Sequence, residues 1–395
     1  DLSYVRHSAR ANKESQMKAY GRTTVSEFLG DRVVFRNLEP VDERLPALDV
    51  LREKVGLAPG RVPRKSEMDY ACVIVQMLLA AQAADMPTAE IERLVLIGDT
   101  RLNDGTAFAN ICVAGGWPGR AFIGSENMAQ PAEMQRAATE SGYQLHLANR
   151  WAALADFDRY CAEHSSPIAA RCAVIVDLDK TALGARGRNA HVIDHARVQA
   201  VRYTVANLLG AAFDQTTFRA AYDMLNQMEY HSFTADNQDY LAYICLILGS
   251  GMHTLAQVIA DIDAGRLRSF AQFIKDVDQR ADDLTPELAA IHSDIHARVQ
   301  GGDPTPFKAF RYNEYLTTVG CMGQSQGGDS AKQLLVDEIV ITQEVREMAL
   351  RWKERGALLF GLSDKPDEAS LPSPELAAQG HLPIHRVQAW AVGGS

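Results

Sequence analysis

Ala173-Val-Ile-Val-Asp177-Leu-Asp179-Lys-Thr181 is an apolar, β-branched run that stops on two acids. A short run that is apolar throughout, rather than alternating, marks a strand buried on both faces, as in a parallel sheet. Alternation at the strand end puts Asp177 and Asp179 on the same side, separated by one residue. Ligands bind at the carboxyl ends of strands in an open α/β sheet. Two carboxylates close together there repel unless a cation or a proton neutralises one. The pair therefore suits a Mg²⁺ site made of carboxylates, waters and a substrate phosphate. It also suits a division of labour in which one Asp attacks and the other shuttles a proton. The plain alternative is a turn and a helix cap, which Asp also supplies.

Working outward, two more segments have the same form. Leu94-Val-Leu-Ile-Gly98-Asp99-Thr-Arg-Leu-Asn103-Asp104 is a strand running into a Gly and an acid, with a further Asp five residues on. Ala357-Leu-Leu-Phe-Gly-Leu-Ser363 is a strand ending in a hydroxyl, preceded by a helical pattern over Gln343–Glu354. Between about 30 and 165 strand-like pieces (Arg32–Phe35, Ala121–Ile123, Tyr143–Leu147) alternate with helical ones (Glu67–Ala84, Ala152–Glu163), which is α/β grammar. From about 193 to 318 the periodicity is helical, with apolar residues at three- and four-residue spacing and almost no strand signal. A Gly/Ser-rich break at Gly320–Ser330 precedes the return of α/β grammar.

These residues resemble the haloacid dehalogenase-like (HAD) superfamily, most of whose members are Mg²⁺-dependent phosphatases. Asp177-Leu-Asp179-Lys-Thr181 matches the family's first motif, D-x-D-x-[TV], at every position. Ser363 matches the second, a strand ending in Ser or Thr, and Thr342, closing Ile339-Val-Ile-Thr, is a rival for it. Lys65, ahead of the helix over Glu67–Ala84, has the placement of the third, with Lys365 a rival phosphate ligand. Gly98-Asp99 to Asp104 matches the fourth, G-D-x-x-x-x-D. The order departs from the family's, since the third and fourth motifs precede the first. The reading is a circular permutation, which chain ends lying close together on a domain surface tolerate.

The resemblance implies a Rossmann-like parallel sheet flanked by helices. Residues 31–187 and 336–395 would form this core, and 188–335 a large all-helical cap. It implies that Asp177 attacks phosphorus, that Asp179 is the acid and base, and that Ser363 and Lys65 bind phosphoryl oxygens. Mg²⁺ would be held by Asp177, Asp99 and the backbone carbonyl of Asp179, with Asp104 in support. The expected activity is hydrolysis of a small phosphorylated metabolite through an aspartyl-phosphate. Phosphoryl transfer on the same scaffold and a non-catalytic binding or assembly protein are the alternatives.

Composition sets the frame. The chain has 395 residues, 47% apolar and 23% charged, the balance of a globular protein with a real core. Lys+Arg 40 against Asp+Glu 50 leaves it acidic, a poor candidate for binding nucleic acid. No run reaches the ~18 apolar residues of a membrane span. Nothing excludes a homo-oligomer. Six cysteines without a C-x-x-C pair, and no leader-like apolar stretch after Asp1, lead to the expectation of a cytoplasmic protein with reduced, buried thiols. Residues 1–30 read as a polar, locally basic N-terminal segment. Arg186 and Arg188 read as solvated loop residues. Tyr222, Tyr230, Phe233, Tyr240 and Tyr243 read as helix packing. His292 and His296 have the i,i+4 spacing of a metal face but read as surface histidines in the absence of H-E-x-x-H.

Overall fold

The computed structural model describes residues 17–86 and 89–394. Its strands are β1 (Met17–Thr23), β2 (Val33–Val34), β3 (Arg93–Gly98), β4 (Gly119–Gly124), β5 (Met134–Ala138), β6 (Gln144–Ala148), β7 (Cys172–Asp177), β8 (Ile341–Thr342), β9 (Leu358–Leu362) and β10 (Ala389–Gly394). Seven of them form one sheet in the order β2-β9-β7-β3-β4-β6-β5. All its pairs are parallel except β5 with β6. The chain is thus an α/β protein with a mostly parallel sheet flanked by helices. β5 escapes the sequence reading because Met-Gln-Arg-Ala-Ala has no β-branched residue, and its half-exposed edge position demands none.

β7 lies at the centre, and its side chains divide between two cores as the pleat requires. Cys172, Val174 and Val176 pack on one face with Trp151, Phe157, Val345 and Trp352. Ala173 and Ile175 pack on the other with Tyr70, Ile74, Phe108 and Ile111. Full burial of each aliphatic side chain of β7 stabilises the sheet by about 1.5–3 kcal/mol. The two faces are covered by the helices Leu154–Glu163 and Gln343–Glu354 on one side and Met68–Asp85 and Asn103–Gly115 on the other. Because β9, β7 and β3 are adjacent and parallel, their carboxyl ends share one edge. The register Asp177↔Leu362 and Val176↔Ile97 puts Ser363, Asp177 and Asp99 side by side there.

A second sheet of three strands joins the two ends of the chain. β1 pairs antiparallel with β10, from Met17↔Gly394 to Thr23↔Ala389, and β10 pairs parallel with β8. The segment 1–30, read as polar and locally basic, therefore carries structure of its own. Residues 1–16 lie outside the described residues, but Met17–Thr23 is a strand, and Phe28 and Leu29 are fully buried. The alternating burial of β1, with four of its seven residues exposed, explains why it reads as polar.

The helices from Ala190–Leu209 to Lys308–Gly320 form a unit with its own core of Phe233, Tyr243, Phe273 and Phe310. Tyr222 and Tyr230 are buried in it and Tyr240 packs against it, as expected of helix packing. Its helices start on local signals: Ser269 accepts from Gln272 N, Thr254 and Gln257 form a capping box, and Pro286 follows the Thr285 cap. Lys308–Gly320, unresolved in the sequence pattern, packs along Ala190–Leu209 at the base of the unit. The next helix, Ala331–Asp337, lies against the small sheet through Leu334. All six cysteines are free thiols. No helix among the described residues is long and apolar enough to cross a membrane.

At the base of the helical unit Arg311 is buried between two acids. Its Nε donates to Asp239 Oδ2 at 2.8 Å and its Nη1 to Glu314 Oε2 at 2.6 Å. Removing one partner from a buried ion pair typically costs about 3–5 kcal/mol, since the other charge stays buried alone. Asp239→Ala is expected to lose that much stability in urea unfolding followed by circular dichroism. A loss under about 1 kcal/mol, the scale of one ordinary hydrogen bond, would contradict the arrangement.

Candidate functional site

The turn after β3 is built around Asp104. This residue begins the helix Asn103–Gly115, and its Oδ2 accepts from Asp99 N at 3.0 Å, Thr100 N at 2.8 Å and Thr100 Oγ1 at 2.9 Å. Gly98 makes this possible, because a Cβ there would lie 2.6 Å from the Asp104 Cγ. The spacing G-D-x-x-x-x-D thus has a physical cause: the second acid folds back under the glycine and fixes the first at the mouth of the turn.

Lys65 enters from the loop ahead of the helix Met68–Asp85. The loop is tied to the Asp104 helix by Asn110 Nδ2 donating to Ser66 O at 3.0 Å. Buried at 6% exposure, Lys65 Nζ donates to Asp104 Oδ1 and to Asp177 Oδ1, both at 2.6 Å. Asp99, Asp104 and Asp177 each bring one carboxylate oxygen within 4.8 Å of the others, and all three residues are buried. Asp99 and Asp177 are 78 positions apart in the sequence. Arg186 Nε closes the group by pairing with Asp99 Oδ2.

The electrostatics are unbalanced, with three acids against Lys65 and Arg186. Burial pushes the Asp177 carboxyl well above the usual carboxylate range; Lys65 opposes this, while Asp104 and Asp99 add to it. Burial, then the charge on Asp104, pushes Asp99 up to about 7 against the pull of Arg186. Asp104 goes the other way: burial would raise it, but Lys65 and the Thr100 N–H lower it to about 2. Burial would also lower the Lys65 ammonium, yet Asp104 and Asp177 hold it well above its ordinary value. Asp177 Oδ2 is buried and accepts no hydrogen bond. Buried carboxylates with an unsatisfied oxygen suit a hard divalent cation, which takes oxygen ligands.

Of the other expected residues, Asp179 stands outside the cluster. Its side chain lines a small cavity with Ser363 and Lys365, and Arg197 Nη2 lies 3.7 Å away. The backbone turns sharply after it, Lys180 having a φ of 64°. Ser363 is buried at the end of β9, and its Oγ accepts from Lys365 N at 3.1 Å. The Lys365 ammonium faces Glu314 Oε1 at 3.1 Å and Thr318 Oγ1 at 3.4 Å. It is therefore Lys65, not Lys365, that reaches the acids. Thr342 belongs to the small sheet and spends its hydroxyl on Thr181 O at 2.5 Å.

Arg186 is partly exposed as expected, yet it is held on Asp99, and the reading of Arg188 as solvated is wrong. Arg188 is buried, with Nε 2.6 Å from Glu126 Oε2 and Nη2 2.9 Å from Glu344 Oε1. The Arg186 carbonyl accepts from Glu126 N at 2.9 Å and from Trp151 Nε1 at 3.2 Å, which fixes the side chain on Asp99. Gly187 was the available signal: its φ is 77°, and a Cβ would collide with the Glu126 carbonyl. A glycine required for so close an approach belongs to an ordered loop. Tyr70 was also missed. Its hydroxyl is buried without a partner, and burial pushes it up, with Lys65 opposing and Asp364 and Asp177 adding.

A cation entering here would compete with protons for the raised carboxyls of Asp99 and Asp177, so binding should release protons and tighten as pH rises through about 7. Titration calorimetry in buffers of different ionisation enthalpy measures this; an affinity flat through that pH would contradict it. Asp177→Asn keeps the shape and removes the carboxylate that would bind the cation. The cation-free variant should melt no lower than wild type; millimolar divalent cation should raise the Tm of wild type and leave that of the variant unchanged. A clear loss of Tm without cation, or an undiminished rise with it, would contradict the electrostatic reading.

Comparison with protein families, with curated proteins and with solved structures found no match to this chain.

Proposed function

We propose that this chain is a Mg²⁺-dependent phosphatase of the HAD-like type, with the family's motifs in circularly permuted order, acting on a small phosphorylated metabolite. The observation that carries the reading is Lys65 Nζ held at 2.6 Å from both Asp104 and Asp177. These residues match the third, fourth and first motifs, and they meet although their order in the sequence is swapped. Two further features support it. The strand bearing the first motif, β7, lies between β9, which leads to Ser363, and β3, which leads to Asp99. The pairing of β1 with β10 brings the described ends of the chain together, which a permuted order requires.

In this reading Asp177 is the nucleophile. A carboxylate oxygen attacks phosphorus while the ester P–O bond breaks, and Asp179 gives its proton to the leaving oxygen. Asp179 then takes a proton from water, the hydroxide attacks phosphorus, and the Asp177–phosphate bond breaks to release inorganic phosphate. Ser363, its oxygen already accepting from Lys365 N, has its hydroxyl proton free to donate to a phosphoryl oxygen. Lys65 fixes Asp177 and Asp104 and offsets their charge. A Mg²⁺ held by Asp177 and Asp99, with Asp104 in support, would screen the nucleophile from the phosphate and stabilise charge in the transition state. We read the helical unit as a cap. Its base reaches the same edge through Arg197 beside Asp179, Glu314 on Lys365 and Lys308 Nζ on Glu368 at 2.6 Å. A cover there excludes water and selects the substrate.

Wild type is expected to hydrolyse a generic aryl phosphate and at least one member of a panel of phosphorylated metabolites, in each case only with Mg²⁺. Asp177→Asn should abolish turnover, and Asp179→Asn should lower kcat by about 10²–10⁴-fold. Equal activity in wild type and Asp177→Asn would overturn the mechanism. No turnover across the panel would favour the binding reading.

A further inference from the structure

Away from the acidic cluster, the helical unit holds a second group of metal-ligating side chains. Asp278 lies in the last turn of the helix Phe270–Gln279, and His292 and His296 lie one turn apart on Pro286–Gln300, the helix that follows. His292 is buried at 2% exposure, contrary to the expectation of a surface histidine. Its Nε2 stands 3.2 Å from Asp278 Oδ1, and His296 Nδ1 stands 3.0 Å from the same oxygen. All three donor atoms lie within 4.8 Å of one another. We infer that Asp278, His292 and His296 form a zinc-class transition-metal site that clips these two helices together.

The distances favour this. Zn–N and Zn–O bonds of about 2.0–2.2 Å in a tetrahedron put donor atoms about 3.3 Å apart. The two measured separations sit close to that edge length. Two imidazoles and one carboxylate are a borderline-soft donor set, which suits zinc rather than magnesium. Asp278 is exposed, so the fourth position opens to water. His292 also has the outer partner that a metal-binding histidine normally has: its other ring nitrogen, Nδ1, is 2.6 Å from the Tyr243 hydroxyl on the helix Gln238–Gly249. Such a partner fixes the tautomer and ring orientation, leaving Nε2 aimed at the metal. The pair lies on a half-buried face, in a segment that turns back within six residues, so a metal there closes a short loop between packed helices.

The test uses the full chain, stripped with a chelator and titrated with Co²⁺ and Zn²⁺. Co²⁺ should give the visible absorption of a tetrahedral site without the near-ultraviolet charge-transfer bands of a thiolate ligand. Zn²⁺ should displace it and raise Tm. Asp278→Asn and His296→Ala change side chains that are exposed or half-buried, so both should fold; each should weaken Co²⁺ binding by at least about tenfold. Tyr243→Phe, which keeps the packing, should weaken it by about tenfold. Asp177→Asn should leave it unchanged, which separates this site from the acidic cluster. Absence of a tetrahedral Co²⁺ spectrum, thiolate bands in its place, or binding unaltered in the Asp278 and His296 variants would overturn the inference.

Discussion

Three carboxylates sealed from water with too few cations to match them are the constraint around which this molecule is arranged. Asp99, Asp104 and Asp177 are all buried, and among the described residues Lys65 and Arg186 are the cations paired with them. Taking an ion out of water costs several kcal/mol even after the protein relaxes. Each acid therefore has a different compensation. Asp104 has three donors on one oxygen and Lys65 on the other, and it is the fixed member of the group. Asp177 has Lys65 on one oxygen and nothing on the other. A fold that buries such a group at the end of β7 accepts lower stability for a place where a cation is favoured.

The parallel sheet is what makes that arrangement possible at low sequence cost. Adjacent parallel strands end on one edge, so residues just beyond β9, β7 and β3 become neighbours without long-range design of the loops. The loops then refine the group. Gly98 lets Asp104 fold under Asp99, and Gly187 lets the Arg186 loop press against Glu126. The helical unit meets the same edge through apolar side chains, Val192, Ile193 and Tyr315 joining the core of β7, and through charges: Arg197, Glu314 and Lys365 form a chain from Asp179 to the residues after β9. Charge pairs of this kind fix register, and here they tie the helices at Ala190–Leu209 and Lys308–Gly320 to the position of Asp179.

What was legible in the sequence is what local pattern encodes. The apolar runs Leu94–Ile97, Ala121–Ile123, Cys172–Val176 and Leu358–Leu362, with the mixed stretch Tyr143–Leu147, mark where β3, β4, β7, β9 and β6 lie. Asp177, Asp99 and Asp104 stand at the strand-end positions that alternation and the glycine mark, and Lys65 was placed by resemblance alone. The misses share a different cause. β1 is half-exposed and its partner β10 lies at the far end of the chain, while β5 is an exposed edge strand with little apolar signal of its own. Arg186, Arg188 and His292 carry side chains that are usually solvated, and only tertiary contacts with Asp99, Glu126, Glu344, Tyr243 and Asp278 hold them in place. Asp179 shows the limit of alternation: the rule puts it beside Asp177, but it stands outside the acidic group and lines a small cavity with Ser363 instead.

The convergence of acids from β3 and β7 on one cation is tested most directly by anomalous diffraction from crystals soaked in Mn²⁺, which shares magnesium's preference for oxygen ligands. The account predicts a single strong peak bonded to oxygens of Asp177 and Asp99, with Asp104 alongside and Lys65 displaced no further than the ion requires. Manganese bound elsewhere with these carboxylates left bare, or Asp99 and Asp177 turned into separate pockets, would contradict it.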